Sequence, residues 1–467
     1  MSCPTREVEG PGYRQGTQHV RVAVREIVPQ FQGVTMLAVL GFATLGSFMV
    51  AVMRRWATAF VAIICAPVLF AVIAGHGPNL GDMVLSGLKT VAPTAVLLLF
   101  AVLYFGVMMD AKLFDPISKF ILRLSKGDPV RICIGTAVLS MAVALDGDGT
   151  TSYMIICSAF LPIYKKLNIN PLVIATVAAM SLGLISGSTP WGGAATRAIS
   201  VLQLDATEYF VSLIPSLALT CAFILVVAYV LGRLQRKHVD TAAVAELAAE
   251  IKNGTHHIGD RPTWRTWVNA GLTILLLVLL ITGVAPLVVL FIGAFVVALL
   301  VNHPELHTQG ESIKRHAVSA VPVVMLVLAA GVFTGILSDS GMIQAMADAL
   351  LSIVPTSMGA LLPLFTAIIA IPLGFFMSND AFFFGILPVL SESASQYGIH
   401  ANEIARAGVV GQISHMIGPA SAPLWVLLGL IKKDLGEFQK FSLLWVVGAC
   451  LAFIAFQILT GAISITG

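Results

Sequence analysis

A chain of 467 residues that is 57% hydrophobic and only 11% charged, with a mean hydropathy of +0.92, departs far from soluble domains, whose charged share is about 25%. The composition predicts an all-α polytopic membrane protein. The net charge of +3 comes with neither a basic stripe nor aromatic interleaving, which excludes a nucleic-acid partner.

In chain order, residues 1–33 form a polar tail without the apolar core of a signal peptide, and Met36, where the sequence turns apolar, is an alternative start. A membrane span needs about 20 apolar residues. Ten segments approach that length, at about 34–52, 57–75, 91–110, 170–188, 210–232, 265–282, 284–302, 318–338, 404–418 and 441–463. Phe114 to Leu124 and Met342 to Ile353 are amphipathic and read as interfacial helices. Five of the six cysteines lie in apolar stretches without paired spacing, so they read as packing residues.

Two further stretches, 131–165 and 358–391, are each interrupted midway by polar residues. In the first, Leu145 to Tyr153 reads L-D-G-D-G-T-T-S-Y, and neither apolar flank is long enough to cross a bilayer. Two short arms and a polar tip predict a re-entrant hairpin. Irregular backbone at membrane depth is tolerated only inside protein or beside a water-filled cavity. Acids there are costly and are functional candidates by default. Asp146, Asp148, Thr150, Thr151 and Ser152 offer hard oxygen ligands for Mg²⁺ or Ca²⁺, with Gly147 and Gly149 allowing close backbone approach. The second tip is Phe376-Met377-Ser378-Asn379-Asp380.

A second pair of breaks follows apolar segments. These are Ser186-Gly187-Ser188-Thr189-Pro190-Trp191-Gly192-Gly193 and Gly418-Pro419-Ala420-Ser421-Ala422-Pro423. Proline and glycine interrupt helical hydrogen bonding there, and the freed helix N-termini suit a carboxylate. A packing kink is the plainer alternative. His415, inside a predicted span, is a candidate proton carrier or carboxylate ligand, or an interhelical hydrogen bonder. Asp110 and Asp339 read as solvated interface acids; Arg197 and Arg406 could meet a carboxylated substrate or snorkel, and snorkelling is the preferred reading.

These features occur twice. Pro93, Gly106, Asp110 and Asp205-x-x-Glu208 recur 229 residues on as Pro322, Gly335, Asp339 and Asp434-x-x-Glu437. Asp148 matches Asp380 at an offset of 232, and Ser188-Thr189-Pro190 matches Ser421-Ala422-Pro423 at 233. Five spans per copy turn the second copy over, which predicts two inverted-topology repeats, each with a re-entrant hairpin and a broken helix, and a site at the midplane. Their bounds are 34–232 and 265–467, with a polar linker at 233–264. Basic loops at Arg54-Arg55, Lys112 to Arg131, Lys165-Lys166, the linker, Lys314-Arg315 and Lys432-Lys433 place that linker in the cytoplasm. Both termini then fall outside, in a cell (plasma or inner) membrane.

The runs AVLYFGVMMDAKLFDP, KGDPVRICIGTAVLSMAVALDGDGTTSYMI and TPWGG-AATRA resemble the citrate–divalent-metal–proton symporter family, CitMHS, of the ion-transporter superfamily, from Met36 onward. The resemblance implies a homodimeric secondary transporter of elevator type. It would import citrate or a related polycarboxylate as a complex with Mg²⁺, Ca²⁺ or another divalent cation, coupled to protons, with no permanently bound cofactor. Hairpin-tip roles would fall on Asp146, Gly147, Asp148, Gly149, Thr150 and Thr151, and on Ser378, Asn379 and Asp380. Broken-helix roles would fall on Ser188, Thr189 and Pro190, with Ser421, Ala422 and Pro423 opposite. The second tip has no glycine partner for Asp380, a departure that bears on the cargo more than on the fold.

A metal-independent di- or tricarboxylate symporter or exchanger is the alternative. An intramembrane aspartyl protease is remote, because its G-x-G-D motif needs glycine where Leu145 stands. No catalytic triad or P-loop is present, so the chain is expected not to be an enzyme and to draw on an ion gradient.

Overall fold

The structure, a computed structural model, describes residues 36–52, 54–125, 127–239, 244, 263–282, 284–351 and 356–464. The polar tail and most of the 233–264 linker lie outside them. Among the described residues every regular element is helical. The first part of the chain forms α1 (Met36–Val52), α2 (Ala59–Ile73), α3 (Leu80–Asp110), α4 (Asp115–Ser125), α5 (Pro129–Val143), α6 (Gly149–Lys166), α7 (Pro171–Ser188), α8 (Gly193–Val201) and α9 (Ala206–Gln235). The second forms α10 (Trp264–Thr282), α11 (Leu287–Asn302), α12 (Leu306–Asp339), α13 (Met342–Leu351), α14 (Leu362–Phe376), a π-helical turn (Ala381–Ile386), α15 (Leu387–Ser395), α16 (Ala401–Gly408), α17 (Gly411–His415), α18 (Ala422–Ile431) and α19 (Leu435–Leu459).

Local sequence fixes many of these starts. Asp128 and Asn170 each accept a hydrogen bond from the backbone two residues on, and Pro129 and Pro171 follow them in the first turn. An Asx cap with proline at the first helical position is a strong start signal. Asp205 caps α9 in the same way, through the amides of Thr207 and Glu208.

Among the described residues, seven helical stretches are long and apolar enough to cross a membrane: Gly77–Asp110, Pro129–Asp146, Pro171–Val201, Ala206–Gln235, Leu306–Asp339, Gly359–Phe376 and Leu435–Leu459. The protein is a multi-pass membrane protein. Four of the ten expected spans form shorter apolar helices, α1, α2, α10 and α11. Two of the seven, Pro129–Asp146 and Gly359–Phe376, are the first arms of the interrupted segments with their adjoining 3₁₀ turns, so the arm before the first tip, expected to be too short, is by length and composition long enough to cross.

One expected span is divided. Over 404–418 the sequence averages to a continuous apolar segment, yet α16 and α17 are joined by a tightened turn. There Gln412 N bonds to Val409 O and Ile413 N to Val410 O, three residues back instead of four. Such a 3₁₀ stretch inside a helix relieves local strain and recurs at hinges. The Ser414 hydroxyl donates to the Ile371 carbonyl at 2.6 Å, tying this joint to α14.

Two regions frame the interior. The long helices α3 and α12 pack side by side, and a Cβ on Gly87 would lie 1.9 Å from the Gly331 carbonyl oxygen, so the two backbones touch. Without a hydrophobic drive between helices in lipid, such small-residue contact is what holds a pair together. At the centre, α7 packs against α5, α6, α9, α17 and α19, and the apolar part of its span is wholly buried. A helix that is apolar all round belongs there.

Asp110 does face solvent but is also paired, with Arg315 at 2.9 Å and His316 at 3.0 Å. Snorkelling is not what the arginines do. Arg406 is buried and donates to the Ala462 carbonyl at 2.7 Å, and Arg197 forms an ion pair described below.

Candidate functional site

The first tip is a turn built by its own acids. After α5, one 3₁₀ turn ends at Asp146, and Gly147 takes a left-handed φ of +81° that suits glycine. The buried Asp146 carboxylate accepts from the Asp148 amide at 2.9 Å and from the Ser152 hydroxyl at 3.1 Å. Asp148 in turn is the N-cap of α6, accepting from the amides of Thr150 at 3.2 Å and Thr151 at 3.1 Å, and from the Thr151 hydroxyl. The two aspartates therefore hold different posts. Asp146 is a strut beneath the turn, and Asp148 stands at its surface.

The first broken helix receives this tip. Past Thr189 the chain turns through Pro190-Trp191-Gly192, closed by Gly192 N to Thr189 O at 2.8 Å, and Thr196 donates to the carbonyls of Pro190 and Gly192. Trp191 Nε1 donates to the Leu145 carbonyl at 2.7 Å and the Ser186 hydroxyl to the Gly147 carbonyl at 3.2 Å. From the other side Pro423 abuts Gly149, where an added Cβ would meet the proline ring at 2.9 Å. The tip thus sits between the joint α7–α8 and the start of α18.

The second tip is more lightly held. Ser378 Oγ accepts from the Ala381 amide at 3.3 Å. Asp380 Oδ1 accepts from Arg197 Nε at 2.6 Å, and Arg197 also donates to the Gly193 carbonyl through Nη1. A π-helical turn follows at once.

These four breaks surround a cavity of about 210 Å³. Of the residues singled out from the sequence, Gly147, Asp148, Gly149, Asn379, His415, Ser421 and Pro423 line it. Asp146, Thr150, Thr151, Ser188, Thr189, Pro190, Ser378 and Asp380 are not in its lining. Ser186 and Gly193, the two ends of the first broken-helix run, line it as well, together with Leu182, Gln412 and Met416, to which sequence reasoning assigned no site role. The signal for Gln412 and His415 was present as G-Q-I-S-H, three polar residues within five of an apolar segment.

Three helix starts border this space, those of α6 at Gly149, α8 at Gly193 and α18 at Ser421 and Pro423. Each carries partial positive charge; the amides of Thr150 and Thr151 at the start of α6 are taken by Asp148, whereas no side chain caps α8 or α18. The hydroxyls of Ser188, Thr189 and Ser421 and the Gln412 Oε1 are buried without a partner. Unsatisfied buried polar atoms are costly, and a polar solute that bonds the two in the cavity lining, on Ser421 and Gln412, removes that cost there. His415 Nδ1 lies 2.9 Å from the Gly374 carbonyl. A carbonyl only accepts, so Nδ1 carries the hydrogen and Nε2 is left as acceptor or proton site. Among the described residues no group of three or more His, Cys, Asp or Glu side chains could hold a metal ion by itself.

A polar cavity among membrane-spanning helices, bordered by helix ends and unpartnered hydroxyls, suits the passage of a charged solute. The class is that of a membrane transporter, not an enzyme, and the aspartyl protease alternative falls. Residues 43–411 match CitMHS, described as citrate transporter, and the chain belongs to that family. Three relatives come from Bacillus subtilis (strain 168). One, named "Uncharacterized transporter YraO", is 44% identical over 92% of this chain and 100% of its own. Another, named "Citrate transporter", is 44% identical over the same shares. The third, named "Mg(2+)/citrate complex secondary transporter", is 42% identical, again over 92% and 100%. The solved structure of the Alcanivorax borkumensis YdaH transporter, described as having an unusual topology, matches with a TM-score of 0.53. It covers 84% of this chain and 90% of that one at 14% identity, a likeness of fold alone.

Proposed function

We propose that this chain imports citrate as a complex with a divalent cation, coupled to protons, by alternating access of elevator type. The observation that carries the reading is the meeting of both hairpin tips and both broken helices at one cavity, in a chain of the citrate transporter family. A relative named for the Mg(2+)/citrate complex supports the metal.

The chemistry follows from charge. Citrate at neutral pH carries about three negative charges, and a divalent cation lowers that to about −1, which eases transfer out of water. Mg²⁺ keeps several waters and takes one or two carboxylates from protein, whereas Ca²⁺ takes six to eight oxygens. Asp148 supplies a protein carboxylate, and the citrate brings the rest with it as cargo. The helix starts of α8 and α18 and the hydroxyl of Ser421 take carboxylate oxygens left free by the metal. Asn379 and Gly147 close the space from the two tips. His415 and Asp146 are the candidate proton carriers, with Asp380 beside them at the second tip.

The same reading takes the matched offsets as two inverted repeats, residues 34–232 and 265–467, in a homodimer with the linker cytoplasmic and both termini outside. The meeting of equivalent breaks from the two halves supports it. Metal-independent carboxylate symport or exchange is favoured by one observation, that both Asp148 oxygens already accept hydrogen bonds. A carboxylate has about four lone-pair sites, so capping and metal ligation are compatible.

Uptake of labelled citrate into proteoliposomes separates the readings. The proposal expects uptake that needs both an imposed pH gradient and Mg²⁺ or Ca²⁺. Equal uptake after chelation would move the aspartates to proton or Na⁺ duty, and uptake indifferent to the gradient would remove the protons.

A further inference from the structure

Arg197 lies one turn into α8 from Gly193, which borders the cavity, and Asp380 follows Asn379, which borders it from the other half of the chain. The Arg197 guanidinium spends Nε on Asp380 and Nη1 on the Gly193 carbonyl, each at 2.6 Å. Both side chains keep 19% of their surface exposed, so neither is sealed into packing. Arginine stays charged at any physiological pH and offers five N–H donors in a rigid fork. Uncovered, such a fork beside an anion cavity adds a full positive charge and a two-pronged seat for a carboxylate. Covered by Asp380, it contributes a neutral pair and loses one edge of the fork.

Net charge then decides what the cavity prefers. The three helix starts contribute roughly half a positive charge each, and Asp148 contributes one negative charge of its own. Beside a cavity walled by protein each further unit of charge weighs more than in bulk water. A weakly positive surround suits an anion of low charge, and an extra cation would shift that preference towards a higher one.

We propose that Asp380 masks Arg197 and thereby makes the cavity selective for the low-charge metal–citrate complex over bare citrate. The inference rests on the reading that the cavity binds citrate. Arg197 and Asp380 act here as specificity-determining residues, through the charge they leave at the site, and the pairing spans 183 residues of sequence.

The test is citrate binding to the purified full-length protein, measured by calorimetry with Mg²⁺ saturating and with Mg²⁺ chelated. Wild type is expected to bind citrate much more tightly with Mg²⁺ than without it. Asp380→Asn is expected to bind bare citrate at least about tenfold more tightly than wild type does, with a smaller change for the Mg²⁺ complex. Arg197→Gln/Asp380→Asn, which removes both charges, is expected to restore the wild-type metal requirement. An Asp380→Asn protein that needs Mg²⁺ as much as wild type overturns this inference and leaves the citrate reading in place. A wild type that binds bare citrate as tightly as the complex, or binds neither, overturns both. A purely structural clamp would lower stability in each single variant without altering the metal preference. Should Asp380→Asn not fold, Arg197→Gln carries the test. Its uncovered Asp380 is expected to weaken Mg²⁺–citrate binding at least about tenfold, with recovery in the neutral double variant. No recovery overturns the inference.

Discussion

The first hairpin tip is knitted to itself and to its surroundings. Asp146 holds the Asp148 amide and Ser152, Asp148 caps α6, and Trp191 and Ser186 reach across from the broken helix to the carbonyls of Leu145 and Gly147. The second tip meets the same cavity with a weak Ser378 cap at 3.3 Å and the Arg197–Asp380 pair. Local opening free energy tracks such contacts. Two tips with similar polar sequences are thus held unequally: the first by bonds from its own acids and the broken helix, the second by a single weak cap and one ion pair.

That contrast is easiest to break at its strongest point. Asp146→Ala strands the Asp148 amide and leaves the Ser152 hydroxyl only the Val143 carbonyl at 3.4 Å, and is expected to lower stability by about 2–3 kcal/mol in denaturant unfolding of the detergent-solubilised protein. Unchanged stability would mean that the first tip is not held by its acids. Gly147→Ala forces a left-handed φ on a residue with a Cβ, at a cost of about 1–2 kcal/mol in the same measurement. Trp191→Phe keeps an aromatic ring but loses the bond to Leu145, which should cost about 1 kcal/mol. At the second tip, Ser378→Ala is expected to cost about 0.5 kcal/mol, the low end for a lost cap. Amide hydrogen exchange should be faster over 378–381 than over 147–152, and the reverse order would sink the comparison. The smallest change in stability belongs to Ser421→Ala. Its hydroxyl has no partner in the protein, so unfolding should move by less than about 0.5 kcal/mol while citrate affinity falls about fivefold, the worth of one hydrogen bond.

Much of the plan was legible because polar residues are conspicuous in apolar sequence. Asp146 to Ser152 broke the 131–165 segment where the structure breaks it, and Thr189-Pro190 ended α7 as proline chemistry demands. The joint between α16 and α17 was hidden, since Val409, Val410 and Ile413 keep the segment apolar while the hydrogen bonds shorten beneath them. The separate duties of Asp146 and Asp148 were equally hidden. Two identical side chains two residues apart differ only in burial, which depends on how the turn folds. The pairing of Arg197 with Asp380 lay beyond any local pattern, and snorkelling was the natural reading of an arginine near a predicted span end.

Asp148 gives the most direct measurement of the central claim, that this cavity takes a metal-bound carboxylate. Asparagine also caps helices but has a single acceptor oxygen, so Asp148→Asn removes the negative charge and gives up the bonds now made to one carboxylate oxygen. Calorimetric titration of citrate at saturating Mg²⁺ is predicted to show binding at least about tenfold weaker than wild type, with stability lowered by only about 1 kcal/mol. Undiminished binding would contradict the account and remove Asp148 from the site.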